Sequence, residues 1–159
     1  AHFNPVVSLA FALRRALPPA TLAGYVAAQI AGACLGAVLA HLMFDLPPVQ
    51  VSDHLRGGLS QAISEVVATF GLLLTIFGAL KFRAASTPAL VGLYIAAAYW
   101  FTASTSFANP AVTLARTLTD TFSGIAPASA PTFILAQCVG LALSLPLLHW
   151  LLAEDRPHA

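Results

Sequence analysis

Ten residues of this chain occur twice. Asn4-Pro-Val-Val-Ser-Leu-Ala-Phe-Ala-Leu13 and Asn109-Pro-Ala-Val-Thr-Leu-Ala-Arg-Thr-Leu118 agree at six of ten positions, and Ser8/Thr113 is conservative. Each copy opens on Asn-Pro, which suits a helix start: Asn caps, and Pro fits the first position. Each apolar stretch is only about 10–12 residues, or roughly 15–18 Å as helix. That is about half of a ~30 Å hydrocarbon core. Each leads into a longer apolar run with a matching centre, Ala28-Gln29-Ile30-Ala31-Gly32 against Ala136-Gln137-Cys138-Val139-Gly140, and His41 and His149 follow at the same offset.

The setting of the repeat is apolar. Of the 159 residues 58% are hydrophobic and 8% charged, with mean hydropathy +0.83. A soluble domain carries about 25% charged residues, so these values exclude a water-soluble globular domain, a disordered chain and a nucleic-acid binder. They place the chain in a bilayer. The net charge of +1 points to no acidic partner. Four runs are long enough to span: Ala20–Phe44, Ser60–Leu80, Pro88–Ser104 and Pro131–Leu152. Pro18-Pro19, Pro47-Pro48, Pro88 and Pro131 punctuate their boundaries. The runs are continuous rather than alternating, which argues for helices and against strands.

Three spans separate the two half-length segments. An odd number makes them enter from opposite faces, the pattern of an inverted-topology repeat. A complete unit is two spans, a half-helix and a third span. Residues 60–152 contain a complete second repeat, and 1–44 the remainder of a first, within one channel domain over 1–159. The chain starts at Ala1 rather than Met, and the expectation is that the first two spans are missing. Arg14 and Arg15 follow the first apolar run instead of preceding it, so that run is not a signal peptide. Alternating sides put Arg14, Arg15, Lys81, Arg83 and Arg156 on one face and Arg56 and Arg116 on the other. Positive charge favours the first face as cytoplasmic.

Two helix starts facing each other within a membrane bring about half a positive charge each. If the Asn4 and Asn109 side-chain oxygens cap the helices, their NH₂ groups are free to donate into a lumen. Such a collar binds a neutral solute with lone pairs briefly and opposes cations and protons. The arrangement reads as a pore for small, uncharged, oxygen-bearing molecules.

The paired Asn-Pro motifs, the lead-in His2-Phe3-Asn4-Pro5 and the Gln-x-x-Gly helices resemble the aquaporin/aquaglyceroporin (major intrinsic protein) family. The resemblance covers the whole chain. It implies an all-α membrane protein, a right-handed bundle of inverted repeats with four full spans plus two half-helices present here. It also implies a multi-pass inner-membrane protein, a homotetramer with one pore per subunit, passive conduction of water or small neutral solutes, and no enzyme activity or cofactor. The pore positions carried over are Asn4, Pro5, Val6, Asn109, Pro110, Ala111 and Val112.

The chain departs from the family pattern in four places, one of them Thr113, where glycerol-type members have Asp. Val6 stands where Ala is usual in the first motif. Val112 stands where the family has a filter arginine, and Ala115-Arg116 replaces the usual Gly-Pro. Arg116 lies one turn beyond Val112 on the same face, where it either supplies charge to the outer vestibule or faces headgroups and loops. The remaining filter positions fall by resemblance at Ala97 and Ser106, or, with a one-residue gap, at Ala98 and Thr105. Either pair is small. The expectation is a wide filter that admits polyols or uncharged metalloid acids. Some bacterial arsenic-resistance-associated aquaglyceroporins are similar at this site.

Glu65 is the one ionisable residue deep in a span, and such a residue is by default functional, for instance in a proton relay. By resemblance, it accepts hydrogen bonds from the loop entering a half-helix, and that structural role is favoured. Gln29 and Gln137 are expected to satisfy loop backbone or to reach a neighbouring helix. Gly24, Ala28, Gly32, Gly36 and Ala40, and again Ala136, Gly140 and Ser144, fall every four residues, the spacing of close helix packing. Tyr99, Trp100, Phe101 and Trp150 suit interfacial belts. Cys34 and Cys138 read as buried thiols. His2, His41, His54, His149 and His158 lack metal-ligand spacing, and no catalytic motif appears. The competing readings are a secondary active transporter, which also uses inverted repeats and broken helices, and a fragment that conducts nothing.

Overall fold

A computed structural model of the chain describes residues 2–153. Arg156 and His158 lie outside them. The described residues contain six α-helices and no strand: α1 (Pro5–Leu13), α2 (Pro19–Met43), α3 (Leu59–Phe82), α4 (Thr87–Phe101), α5 (Pro110–Ala115) and α6 (Ala130–Leu151). Proline opens five of them, α3 being the exception. The missing N–H costs nothing there because it would have no partner inside the helix. α2, α3 and α6 have 25, 24 and 22 residues, enough to span. The shorter α4 has 15 and is preceded by a 3₁₀ turn at Ala84–Ser86. α5 is shorter than the sequence indicated, because Arg116–Leu118 tighten into a 3₁₀ turn.

α3 and α6 form the centre, and α2 and α4 lie mostly exposed beside them. The half-helix α1 sits in the crook of the central pair. Val6, Val7 and Ala10 pack with Leu72, Leu73, Ile76 and Phe77 of α3 and with Leu141 and Leu148 of α6. α5 packs against α2 and α6. Each half-helix therefore leans on elements from the other half of the sequence.

Lipid supplies no hydrophobic drive between spans, so close contact depends on small residues. At Gly140 a Cβ would stand 2.7 Å from the Val66 carbonyl oxygen and 2.9 Å from the Thr69 Cβ. Ala136 and Ser144, one turn either side, are buried in the same seam. The matching stripe on α2 behaves otherwise. A Cβ at Gly24, Gly32 or Gly36 meets nothing within 4 Å, so those glycines do not pack against a described helix. Four-residue spacing defines a narrow face but does not say whether a helix or a cavity lies against it. The cysteines need a similar correction: Cys34 is half-buried and Cys138 exposed. An apolar run turns one face to lipid, so a residue within it need not be interior.

The charges segregate as expected for the described residues. Arg14 stacks 4.9 Å from the Phe77 ring centroid, and Lys81 Nζ donates to the Leu152 and Ala153 carbonyls at 3.0 and 3.4 Å. Arg56 and Arg116 converge on Phe107 instead. Trp100 and Trp150 are 88% and 73% exposed.

Replacing Gly140 with Val should destabilise the protein by about 1–3 kcal/mol through overpacking, because backbone is what the new side chain meets. Thermal unfolding in detergent, followed by loss of monodispersity, measures it.

Candidate functional site: two half-helix starts joined end to end

Asn4 and Asn109 both sit at N-caps in extended conformation. Asn4 Oδ1 accepts from Val6 N at 3.0 Å. Asn109 Oδ1 accepts from Ala111 N at 3.0 Å and Val112 N at 3.3 Å. The amides are not wholly free, which corrects the sequence expectation. Asn4 Nδ2 donates to the Ala108 carbonyl at 2.7 Å, and Asn109 Nδ2 donates to the Phe3 carbonyl at 2.9 Å. Each asparagine thus bonds the residue that precedes the other, and one amide hydrogen remains on each. These bonds give a partner to two carbonyls that belong to no helix ladder.

The crossed bonds depend on an unusual backbone. Phe3 and Ala108 have φ of 55° and 47°, a left-handed conformation that costs a non-glycine residue about 1–3 kcal/mol. The same conformation recurs at equivalent positions of the two copies. It turns each preceding carbonyl toward the opposite asparagine.

Glu65, fully buried on α3, holds the approach to α5. Its Oε1 accepts from Ser104 Oγ at 2.6 Å and Phe107 N at 2.9 Å. Its Oε2 accepts from Ala108 N at 2.8 Å and Gln137 Nε2 at 2.6 Å. All four partners are donors, which matches an acceptor-only carboxylate. Gln137 Nε2 also donates to Thr113 Oγ1 at 3.0 Å, and Gln29 Nε2 donates to Ser8 Oγ at 2.8 Å. The glutamines therefore take the second of the two expected roles: they reach side chains on neighbouring helices rather than loop backbone. The pairs Gln29–Ser8 and Gln137–Thr113 are the sequence repeat expressed as contacts.

Two cavities lie between α2 and α5 and share Val112 and Ala33. One, of about 720 Å³, is lined by His2, Phe3, Gln29 and the Gly24, Ala28 and Gly32 stripe. The other, of about 640 Å³, is lined by His41, Ala115, Arg116, Thr119, Thr121 and Ser123. Val112 therefore stands at the junction. Pro5 and Pro110 start the half-helices, and Val6 and Ala111 are buried against the core. Ala97 and Ser106 line neither cavity. Ala97 is on an exposed face of α4, and Ser106 is buried next to the Glu65 network.

The sequence reading placed Arg56 on a membrane face but missed its bonding role. Its Nε donates to Gly124 O at 2.7 Å, its Nη2 to Phe122 O at 2.7 Å and its Nη1 to Ser104 O at 3.4 Å. It ties the segment before α3 to the loop after α5. The loop closes further through Gln50 N to Leu118 O and Ser52 N to Thr117 O, at 2.9 and 3.0 Å. The only prior signal was a single cation in an otherwise uncharged Leu-Arg-Gly-Gly stretch ahead of a span.

The family model described as "Major intrinsic protein" matches residues 1–107. The chain belongs to the major intrinsic protein family. Aquaglyceroporin AqpS of Rhizobium meliloti (strain 1021) is 57% identical over 157 residues, which is 99% of this chain and 67% of that protein. The glycerol uptake facilitator protein of Streptococcus pneumoniae (strain ATCC BAA-255 / R6) is 36% identical over 109 residues, 60% of this chain and 47% of that protein. The facilitator of Bacillus subtilis (strain 168) is 33% identical over 112 residues, 61% and 40% of the two chains. This major intrinsic protein is thus a multi-pass membrane protein of a family of passive channels for water and small neutral solutes.

Replacing Glu65 with Gln would point an amide N–H₂ at groups that are themselves donors. The folded protein should lose about 1–3 kcal/mol, read as a lower melting temperature, while what remains folded conducts without acquiring pH dependence.

Proposed function

We propose that the full-length protein passes polyols and uncharged metalloid acids as well as water, down their gradients, through a pore centred on Asn4 and Asn109. The observation that carries this is Val112 at the junction of two cavities beside the paired half-helix starts. A valine there donates nothing and occupies less of the lumen than an arginine. Solutes with several oxygens then meet their fixed donors at the two asparagine amides, each with one hydrogen to give. The helix starts add positive potential, which disfavours cations at the same place.

On this reading Pro5, Val6, Pro110 and Ala111 set how the half-helices abut, and Ala97 and Ser106, which line neither cavity, take no part in the filter. Glu65, Gln29 and Gln137 hold the scaffold and take no part in proton transfer. Residues 1–44 belong to one repeat and 60–152 to the other. The assembly is a homotetramer in a bacterial inner membrane, with one pore per subunit. The glycerol facilitators among its relatives support the polyol assignment.

Proteoliposomes carrying the full-length protein should take up glycerol and arsenous acid at rates proportional to the gradient, with no accumulation and no ion dependence. Accumulation against a gradient would instead mark a coupled transporter. Val112→Arg should cut glycerol and arsenous acid uptake by about tenfold or more while leaving water flow within about threefold, consistent with a narrowed filter. Stopped-flow light scattering and direct solute uptake distinguish the two solute classes.

A further inference from the structure

The outer cavity contains a positive charge that the half-helix ends do not explain. Arg116 lines it one turn beyond Val112, on the face a helix presents at i and i+4. About 6 Å of helix axis separates the two positions. The guanidinium carbon of Arg116 lies 4.2 Å from the centroid of the Phe107 ring. Arg56 approaches the same ring at 5.2 Å, and Phe107 is backed by Phe133 at 5.1 Å. Two cations thus share one aromatic ring.

Their bonding differs. Arg56 gives its N–H groups to three backbone carbonyls, so it serves as a structural tie. Arg116 Nη1 is buried and has no hydrogen-bond partner among the described residues. A guanidinium in such a place is normally paired or hydrogen-bonded, because an unpartnered buried donor is costly. A ring face holds a cation in position without neutralising it. Arginine also stays charged throughout the physiological range. The result is a fixed positive charge with no ion pair among the described residues, at the wall of this cavity and next to the position where the family's filter arginine is absent.

We propose that Arg116 is the specificity-determining cation barrier of this channel, relocated one turn outward from position 112 and held there by the Phe107 ring. The separation has a physical consequence. An arginine at 112 both narrows the filter and repels cations. Here Val112 leaves width at the filter, and Arg116 supplies repulsion in the roomier vestibule, where it does not obstruct a bulky neutral solute. The proposal rests on the channel reading above and deepens it.

The test uses full-length protein in proteoliposomes, with glycerol and methylammonium as the neutral and cationic probes. Wild type should carry glycerol and exclude methylammonium. Arg116→Gln should keep glycerol uptake within about twofold and raise methylammonium uptake by about tenfold or more, as expected for removal of a charge close to the path in a low-dielectric wall. Arg116→Lys should retain most of the exclusion. The double variant Arg116→Gln/Val112→Arg should restore exclusion and lose glycerol uptake, because it returns both properties to one position. If Arg116→Gln is not recovered folded, Arg116→Met, which keeps the packing of the stem, gives the same readout. A folded Arg116→Gln or Arg116→Met variant that conducts glycerol and still excludes methylammonium overturns the proposal. A wild type that carries no glycerol overturns the channel reading itself, and this proposal with it.

Discussion

A helix that stops half-way through a membrane leaves backbone N–H and C=O groups where water cannot satisfy them. Most of the architecture answers that one difficulty. Each half-helix is capped by its own asparagine, and the carbonyl just ahead of it is satisfied by the asparagine of the other. Glu65 takes up the N–H groups of Phe107 and Ala108 in the loop entering α5. The glutamines of α2 and α6 then fix hydroxyls on the half-helices themselves. These polar contacts set where the half-helix starts lie. The apolar packing of α1 on α3 and α6 supports that placement.

Much of this was legible in the sequence because duplication makes a weak signal specific. One Asn-Pro is a turn; two extended copies, each leading into a matching Gln-x-x-Gly helix, define paired half-helices. The spans were legible from continuous hydropathy, and the capping role of Asn4 and Asn109 from local chemistry. The crossed amide bonds were not. They join residues more than a hundred positions apart and require left-handed backbone at Phe3 and Ala108, residues that carry no glycine-like marker. Spacing also failed to say which small-residue stripe packs. Gly140 meets backbone, whereas Gly24, Gly32 and Gly36 meet open space, and only a three-dimensional neighbour distinguishes them.

The outer face shows a division of labour between two arginines of the same type. Arg56 is committed to carbonyls and gives the loops their shape. Arg116 lies over a ring instead, and its Nη1 has no hydrogen-bond partner among the described residues. Neither role follows from residue type or local sequence. The contrast comes from which partners the loops bring within reach, so a charge count by membrane face locates both arginines yet misses the difference.

The reciprocal bonds between Asn4 and Ala108, and between Asn109 and Phe3, have a mechanical consequence. They make the two half-helix starts one linked body: if either shifts, it pulls on a carbonyl fixed to the other. The junction of the two half-helix starts is therefore stiff. A change confined to the loops that Arg56 closes would leave this linkage intact.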